Sequence, residues 1–229
     1  YNRNKINQIA KKHGLYVIED SAQAPGATFN NSYCGILGDV GVFSLNYHKH
    51  IQCGEGGIIV TNDESHARTI RSLRSWGKNQ RHQYTRPGFN YRMDNIQAAI
   101  LRVKLRHLPE WTKTRRRIAA TYDQMLADAN VTTPTVRPDS HHVYHIYAIQ
   151  TPCRDALHRT LDTGGIQTGL HYPVPIHLQP GYANLRGQAG DHPFAEAAAA
   201  STLTLPIYPE LPTDVPARIA EIIQRSQSN

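Results

Sequence analysis

A four-residue apolar run, Leu15-Tyr16-Val17-Ile18, constrains the fold of this chain more than any other stretch. It follows residues 3–13, where helical spacing puts Ile6, Ile9 and Ala10 on one side and His13-Gly14 stops the helix. An unbroken apolar run placed directly after such a stop reads as a strand buried on both faces. Strands of that kind belong to parallel sheets covered by helices. Two more strands are expected at residues 40–45 and 57–61, and helical spacing returns over Glu64–Leu73, so the chain reads as α/β.

Beyond that point residues 77–92 form a polar, glycine-bearing stretch that reads as a long loop. Helices are expected at 96–108, ending at Pro109, and at 111–129, where Ile118, Tyr122, Met125 and Leu126 make one stripe. Thr and Pro over 131–140 mark a linker, followed by a β-like run at 142–150 and a helix at 154–162 closed by Gly164-Gly165. Residues 171–180 are proline-rich and read as extended, and 194–202 as a short alanine-rich helix. A last helix starts at Thr213-Asp214, with Pro216 in its first turn. The chain opens mid-helix and runs straight into a core strand, which suggests a fragment of a longer protein.

Composition removes several classes of function. No apolar run approaches a membrane span, the first residues do not form a signal peptide, and no membrane partner is expected. Three scattered cysteines, without a CxxC pair, fit a reducing compartment and make the cytoplasm the expected location. The net charge is +7, yet the basic residues are spread out. The one tight cluster, Arg115-Arg116-Arg117, reads as a solvated helix face, so no nucleic-acid partner is expected. A diffuse positive field suits a small anionic substrate such as a nucleotide diphosphate. The thirteen histidines include His141-His142 with His145, and His171 with His177. On an alternating strand His142 and His145 face opposite sides, and no HExxH or Cys/His cluster is present, so no metal site is expected.

The residues that suggest chemistry each have an ordinary explanation when taken singly. Asp20, at the end of the first expected strand, stands where open α/β sheets present ligands, and it could equally cap a turn. Gln23 fits a turn or a ligand contact, and Ser44 could bind a phosphate or cap a strand end. Lys49 precedes Gly54-Glu55-Gly56-Gly57, whose glycines allow positive φ and close backbone approach but lack a dinucleotide fingerprint. Asn90 and Arg92, before the Gln97-Ala98-Ala99 helix, could meet a ligand or sit in a polar loop. Together a lysine, an acid at a strand end and a serine are the parts needed to hold pyridoxal phosphate. The amine binds the aldehyde, and the acid keeps the pyridine nitrogen protonated so that the ring takes up electrons.

Order and spacing add more. Glu19-Asp20-Ser21-Ala22-Gln23-Ala24, Gly38-Asp39-Val40-Gly41-Val42-Phe43-Ser44, Lys49, and Gly54–Gly57 with Val60-Thr61-Asn62-Asp63 together resemble the DegT/StrS family. These are pyridoxal-phosphate-dependent sugar aminotransferases. The resemblance continues through 88–93, Gln97-Ala98-Ala99, 165–173, 177–180 and 203–211, and so covers essentially the whole chain. It implies an aspartate-aminotransferase-like fold (fold type I), with residues 1–112 as the C-terminal part of the large domain and 113–229 as the small α+β domain. The family's N-terminal phosphate-cradling loop and ring-stacking aromatic have no counterpart here. The chain thus resembles the C-terminal part of a full-length member and is expected to bind the cofactor poorly alone.

By position, the resemblance implies that Lys49 is the catalytic residue, binding the cofactor and later shuttling a proton. Asp20 would pair with the pyridinium nitrogen, Gln23 would lie beside the ring and Ser44 would bind the phosphate. Asn90 would reach the cofactor of a neighbouring subunit in a homodimer with shared sites, while His171 and Tyr172 would contact the sugar nucleotide. The amino donor would be an amino acid, glutamate by family habit. An aminocyclitol (inosose) acceptor and an inert fragment or interaction protein are the alternatives. Leu45-Asn46-Tyr47-His48 departs from the aromatic and proline residues usual before the family's lysine.

Overall fold

Helix α1 (Arg3–Lys12) ends at Gly14, whose φ of +63° lets the chain reverse, and Leu15 N donates back to Ala10 O at 2.9 Å. The computed structural model describes residues 3–79, 83–185 and 187–227. Tyr1 and Asn2, and residues 80–82 of the expected 77–92 loop, lie outside the described residues. The chain folds as two compact units: 1–110 with Arg137–His145, and 111–136 with 146–229. Arg137–His145 therefore belongs with the first unit although it lies far along the sequence.

In the first unit, β1 (Ile18–Asp20) runs parallel to β4 (Val40–Ser44), and β4 pairs antiparallel with β5 (Gly57–Val60). The strand order is β1-β4-β5. Here the expectation of a strand buried on both faces fails. The strand begins at Ile18 rather than Leu15, and Leu15, Tyr16 and Ile18 are exposed, Ile18 at 71%. Among the described residues β1 pairs with β4 alone, and those residues cover one of its faces.

That covered face carries Glu19, Gly41 and Phe43, in alternation with the open face. The loop at residues 34–39 lies over it. Leu37 N donates to Glu19 Oε2 at 3.2 Å, Asn7 Nδ2 of α1 donates to Leu37 O at 2.9 Å, and Gly35 lies against Gly41. The approach is so close that a Cβ on Gly41 would overlap the Gly35 carbonyl. Gly41→Ala should therefore cost about 1–3 kcal/mol through overpacking. Denaturant unfolding would measure this, and an unchanged midpoint would refute the packing argument.

A small second sheet, β3-β2-β6, has no counterpart among the strands expected from sequence. It joins β2 (Thr28–Phe29), β3 (Ser32–Tyr33) and β6 (Ser140–His141), and the turn between β2 and β3 has positive φ at Asn30 and Asn31. Because β6 pairs with β2, it fixes the strap 137–145 onto the first unit, helped by Asn30 N donating to Asp139 O at 2.8 Å. The β-like run expected at 142–150 is thus broken. Only β7 (Tyr147–Gln150) is a strand, and His142 and His145 do not alternate along one.

Helix α2 (Glu64–Leu73) is capped by Asp63, whose Oδ1 accepts His66 N at 2.8 Å. Helix α3 (Asn95–Lys104) stops before the expected 108, and Pro109 stands in the first turn of α4 (Leu108–Met125) rather than ending a helix. Proline is tolerated there because the first-turn N–H has no partner inside the helix.

The second unit packs β7 against β8 (Thr202–Leu205), antiparallel, with α5 (Arg154–Thr163), α6 (Pro193–Ser201) and α7 (Val215–Gln227). Tyr122 and Tyr147 are fully buried with ring centroids 4.9 Å apart. Tyr122 donates its hydroxyl to Pro206 O at 2.9 Å. The Arg115-Arg116-Arg117 cluster is not a uniformly solvated face. Arg115 is buried and donates to Ile207 O at 2.6 Å, and burial pushes its guanidinium down to about 10, opposed by Glu210.

Candidate active site

Parallel pairing decides which of two adjacent acids faces the site. Asp20 pairs with Val42, and Ser44 lies two residues further along β4, so Asp20, Val42 and Ser44 share one face of the sheet. Glu19 points to the other face, where it is buried on Leu37 N. The face of Asp20 and Ser44 is the open one, and its apolar members Ile18 and Ile59 are exposed. Both β1 and β4 end at the same edge, the C-terminal edge at which open α/β sheets bind ligands.

Asp20 keeps its carboxylate in place locally, with Oδ1 accepting Ala22 N at 3.0 Å. Ser21 N continues the ladder to Val42 O at 2.9 Å, and the turn closes with Ala24 N on Ser21 O at 2.9 Å. Gln23 is an exposed residue of that turn, directly beyond Asp20.

Lys49 lies in the connection from β4 to β5, at the same edge. Beneath it Leu45 and Ile51 are buried against Leu101 of α3, with Cys53 and Met93 packed alongside. Each aliphatic side chain sequestered in this way contributes about 1.5–3 kcal/mol, so the hairpin base is firmly seated. Asn46 organises the turn above. Its O accepts Lys49 N at 2.9 Å, its Oδ1 accepts His48 N at 3.0 Å, and its Nδ2 donates to Glu55 Oε1 at 2.7 Å. Asn46 N in turn donates to Ser44 Oγ at 3.4 Å. From α3, Gln97 Nε2 donates to Cys53 O and Glu55 O at 3.1 and 2.7 Å, and Lys104 Nζ to Gln52 O at 2.8 Å. The Lys49 side chain is half-buried, and among the described residues its amine has no hydrogen-bond or ion-pair partner.

The structure brings Asp20, Gln23, Ser44 and Lys49 to one sheet edge, whereas Asn90 is held elsewhere in the first unit. Asn90 is exposed and bridges to Ser75, in a strip tied to the end of α2 by Phe89 N on Leu73 O and Tyr91 N on Arg74 O, at 2.7 and 2.9 Å. His171 and Tyr172 belong to the second unit. They line an open cavity of about 740 Å³ whose other walls include Ile176, His177, Leu185 and His192. His171 Nδ1 lies 2.9 Å from Thr204 Oγ1 of β8. Glu196 ties the cavity's loop together by accepting from Gly190 N at 2.9 Å and His192 N at 3.2 Å and by pairing with His177 Nε2 at 3.0 Å. These contacts, that of Gly190 N first, hold its carboxyl below the usual range.

Asn46, Gln97 and Lys104 hold this turn and are not among the expected residues. Gln97 stands in a motif that carries the family resemblance, but its contact to residues 53–55 spans more than forty positions and leaves no local signal. Among the described residues no group of three or more His, Cys, Asp or Glu side chains is placed to hold a metal ion, and no helix is long and apolar enough to cross a membrane.

The donor set fits a pyridine bearing an aldehyde and a phosphate. A carboxylate and a hydroxyl share one face, and a primary amine stands at the same edge on a rigid turn. Asp20 would meet the ring nitrogen, Ser44 the phosphate and Lys49 the aldehyde.

A sequence model described as the DegT/DnrJ/EryC1/StrS aminotransferase family matches residues 2–224. Among curated relatives, a pleiotropic regulatory protein of Geobacillus stearothermophilus is 44% identical over 210 residues, which is 90% of this chain and 56% of that protein. A dTDP-3-amino-3,4,6-trideoxy-alpha-D-glucose transaminase of Streptomyces venezuelae is 38% identical over 221 residues, covering 96% of this chain and 58% of the relative. Among solved structures, S. venezuelae DesV in complex with a ketimine intermediate superposes with a TM-score of 0.95 at 37% identity, over 100% of this chain and 62% of DesV. The chain thus spans less than two thirds of the length of these relatives.

Proposed function

The chain belongs to the DegT/DnrJ/EryC1/StrS aminotransferase family and has the fold of its solved members, and from that premise we propose that the enzyme carrying it is a pyridoxal 5'-phosphate-dependent transaminase that aminates a keto-sugar nucleotide. The observation that carries the reading is the common face of Asp20 and Ser44 with Lys49 in the turn at the same edge. Relatives named as transaminases of dTDP- and UDP-linked sugars support the acceptor class.

When bound, the cofactor supplies an aldehyde that combines with amines and a protonated ring that takes up an electron pair. Lys49 would hold the aldehyde through Nζ, and in the reaction its Nζ would take a proton from the donor's α-carbon and later give one to the sugar carbon that receives the amine. The Asp20 carboxylate would keep a proton on the ring nitrogen by opposite charge. Ser44 would donate its hydroxyl to the phosphate, and Gln23 would stand next to the cofactor. Asn90, exposed at its strip, serves the phosphate of a second subunit in a homodimer. His171 and Tyr172 contact the sugar nucleotide, and glutamate is the amino donor. Residues 1–112 act as the cofactor-binding part and 113–229 as the small domain, apart from the strap 137–145.

Borohydride reduction of the full-length protein with pyridoxal 5'-phosphate should fix the cofactor on Lys49, read by peptide mass spectrometry. Product analysis with a keto-sugar nucleotide and with a keto-cyclitol should then show amination of the former. A label on another lysine, or amination of the cyclitol alone, would defeat the reading.

A further inference from the structure

The residue immediately after Lys49 is a buried histidine that no requirement of strand or turn explains. His50 is 8% exposed, and its Nε2 lies 3.0 Å from the carbonyl oxygen of Val143, 93 positions away. A carbonyl can only accept, so Nε2 carries the proton and the bond fixes both the tautomer and the ring direction. The His50 ring also packs on that of His145, with centroids 5.1 Å apart and planes at 41°. Both partners lie on the strap 137–145, which is not free to drift. It is paired to β2 through β6, tied at Asp139 O by Asn30 N, and covered at Phe29 by the Arg137 guanidinium at 4.9 Å.

We propose that His50 is a positioning residue for Lys49, transmitting the rigidity of the strap to the lysine backbone and thereby setting where Nζ points. Asn46 fixes the chain on the N-terminal side of Lys49 and His50 fixes it on the C-terminal side, so the lysine is held at both ends. A long flexible side chain needs such a hold, because a misplacement of about 1 Å can cost a reaction on the order of a hundredfold. The inference rests on Lys49 being the reactive amine proposed above.

Glutamine and asparagine substitutions separate this role from a general effect on the fold. In His50→Gln the side-chain Nε2 reaches about as far as the imidazole Nε2 and can still donate to Val143 O. In His50→Asn the shorter side chain cannot. The cofactor-free full-length protein is methylated with formaldehyde and a borane reductant, and the rate at each lysine is read by mass spectrometry, with Lys11 and Lys113 as controls. His50→Asn should raise the Lys49 rate about threefold or more as its amine leaves the half-buried position, with the controls unchanged, while His50→Gln stays at the wild-type rate. In the loaded enzyme kcat should fall about tenfold to a hundredfold in His50→Asn, with the KM for the amino donor within about twofold. His145→Ala, which removes the ring contact but leaves the hydrogen bond, should give a smaller change in the same direction.

An unchanged Lys49 rate in folded His50→Asn, or a changed one in His50→Gln, would overturn the proposal. So would failure of both His50→Asn and His145→Ala to fold, since the histidine would then be holding the domain and not the lysine. If borohydride fails to label Lys49 in the wild-type protein, the aminotransferase reading falls while the cofactor-free comparison still reports on His50.

Discussion

Replacing Lys49 with alanine in the full-length enzyme should lower amino transfer by about a thousandfold or more, because in the proposed mechanism one amine both holds the cofactor and moves the proton. No neighbour can take over. His48 and His50 carry imidazoles, which have no primary amine, and His50 is buried on Val143 O. The next lysine along the chain that touches this hairpin, Lys104, is engaged at Gln52 O. The fold should survive, because the buried seat of the hairpin is Leu45, Ile51 and Leu101 and not the lysine. A half-exposed side chain removed from such a position changes stability by about 0.5 kcal/mol. Steady-state rates with thermal unfolding on the same preparation check both halves. A variant that keeps a tenth of the rate would remove Lys49 from the mechanism.

Asp20→Asn should cost about a hundredfold to a thousandfold in kcat, the range seen when one preorganised electrostatic group is removed. The substitution is nearly isosteric, and Asn Oδ1 can still accept Ala22 N, so the turn after β1 is retained. What disappears is the negative charge that, in the proposed site, favours a proton on the ring nitrogen. The adjacent acid supplies the control. Glu19 lies on the opposite face and accepts Leu37 N, so Glu19→Gln should leave kcat within about threefold and lower stability by about 1 kcal/mol through a weaker hydrogen bond. If the two variants exchanged effects, the assignment of faces would be wrong.

Individual residues show how far the sequence could be read. The "Glu-Asp" pair was ambiguous because nothing local states which of two neighbours faces a ligand. The pairing of Asp20 with Val42 resolves it. The histidines at 142 and 145 were assigned to opposite faces of a strand, but that stretch leaves the strand geometry and His145 instead meets His50. Arg115 resembled its solvated neighbours in sequence and is buried, since a helix of 18 residues turns one arginine of three toward the core. The run 15–18 reads as buried on two faces, and among the described residues its strand pairs with β4 alone and leaves Ile18 exposed.

By itself the sequence determined the helices Glu64–Leu73 and Arg154–Thr163 to within a residue, the start of Val215–Gln227 to within two, and the order of Asp20, Ser44 and Lys49. Periodicity, caps and stops act over a few residues, and a family pattern is a matter of residue type and spacing. The tertiary structure alone decided that Asp20 and not Glu19 joins Ser44, that the strap 137–145 returns to the first unit, and that His50 anchors the turn of Lys49. Those outcomes depend on strand register and on contacts across tens of residues. They are set by which surfaces can be buried together, a property of the folded chain that no local window of sequence contains.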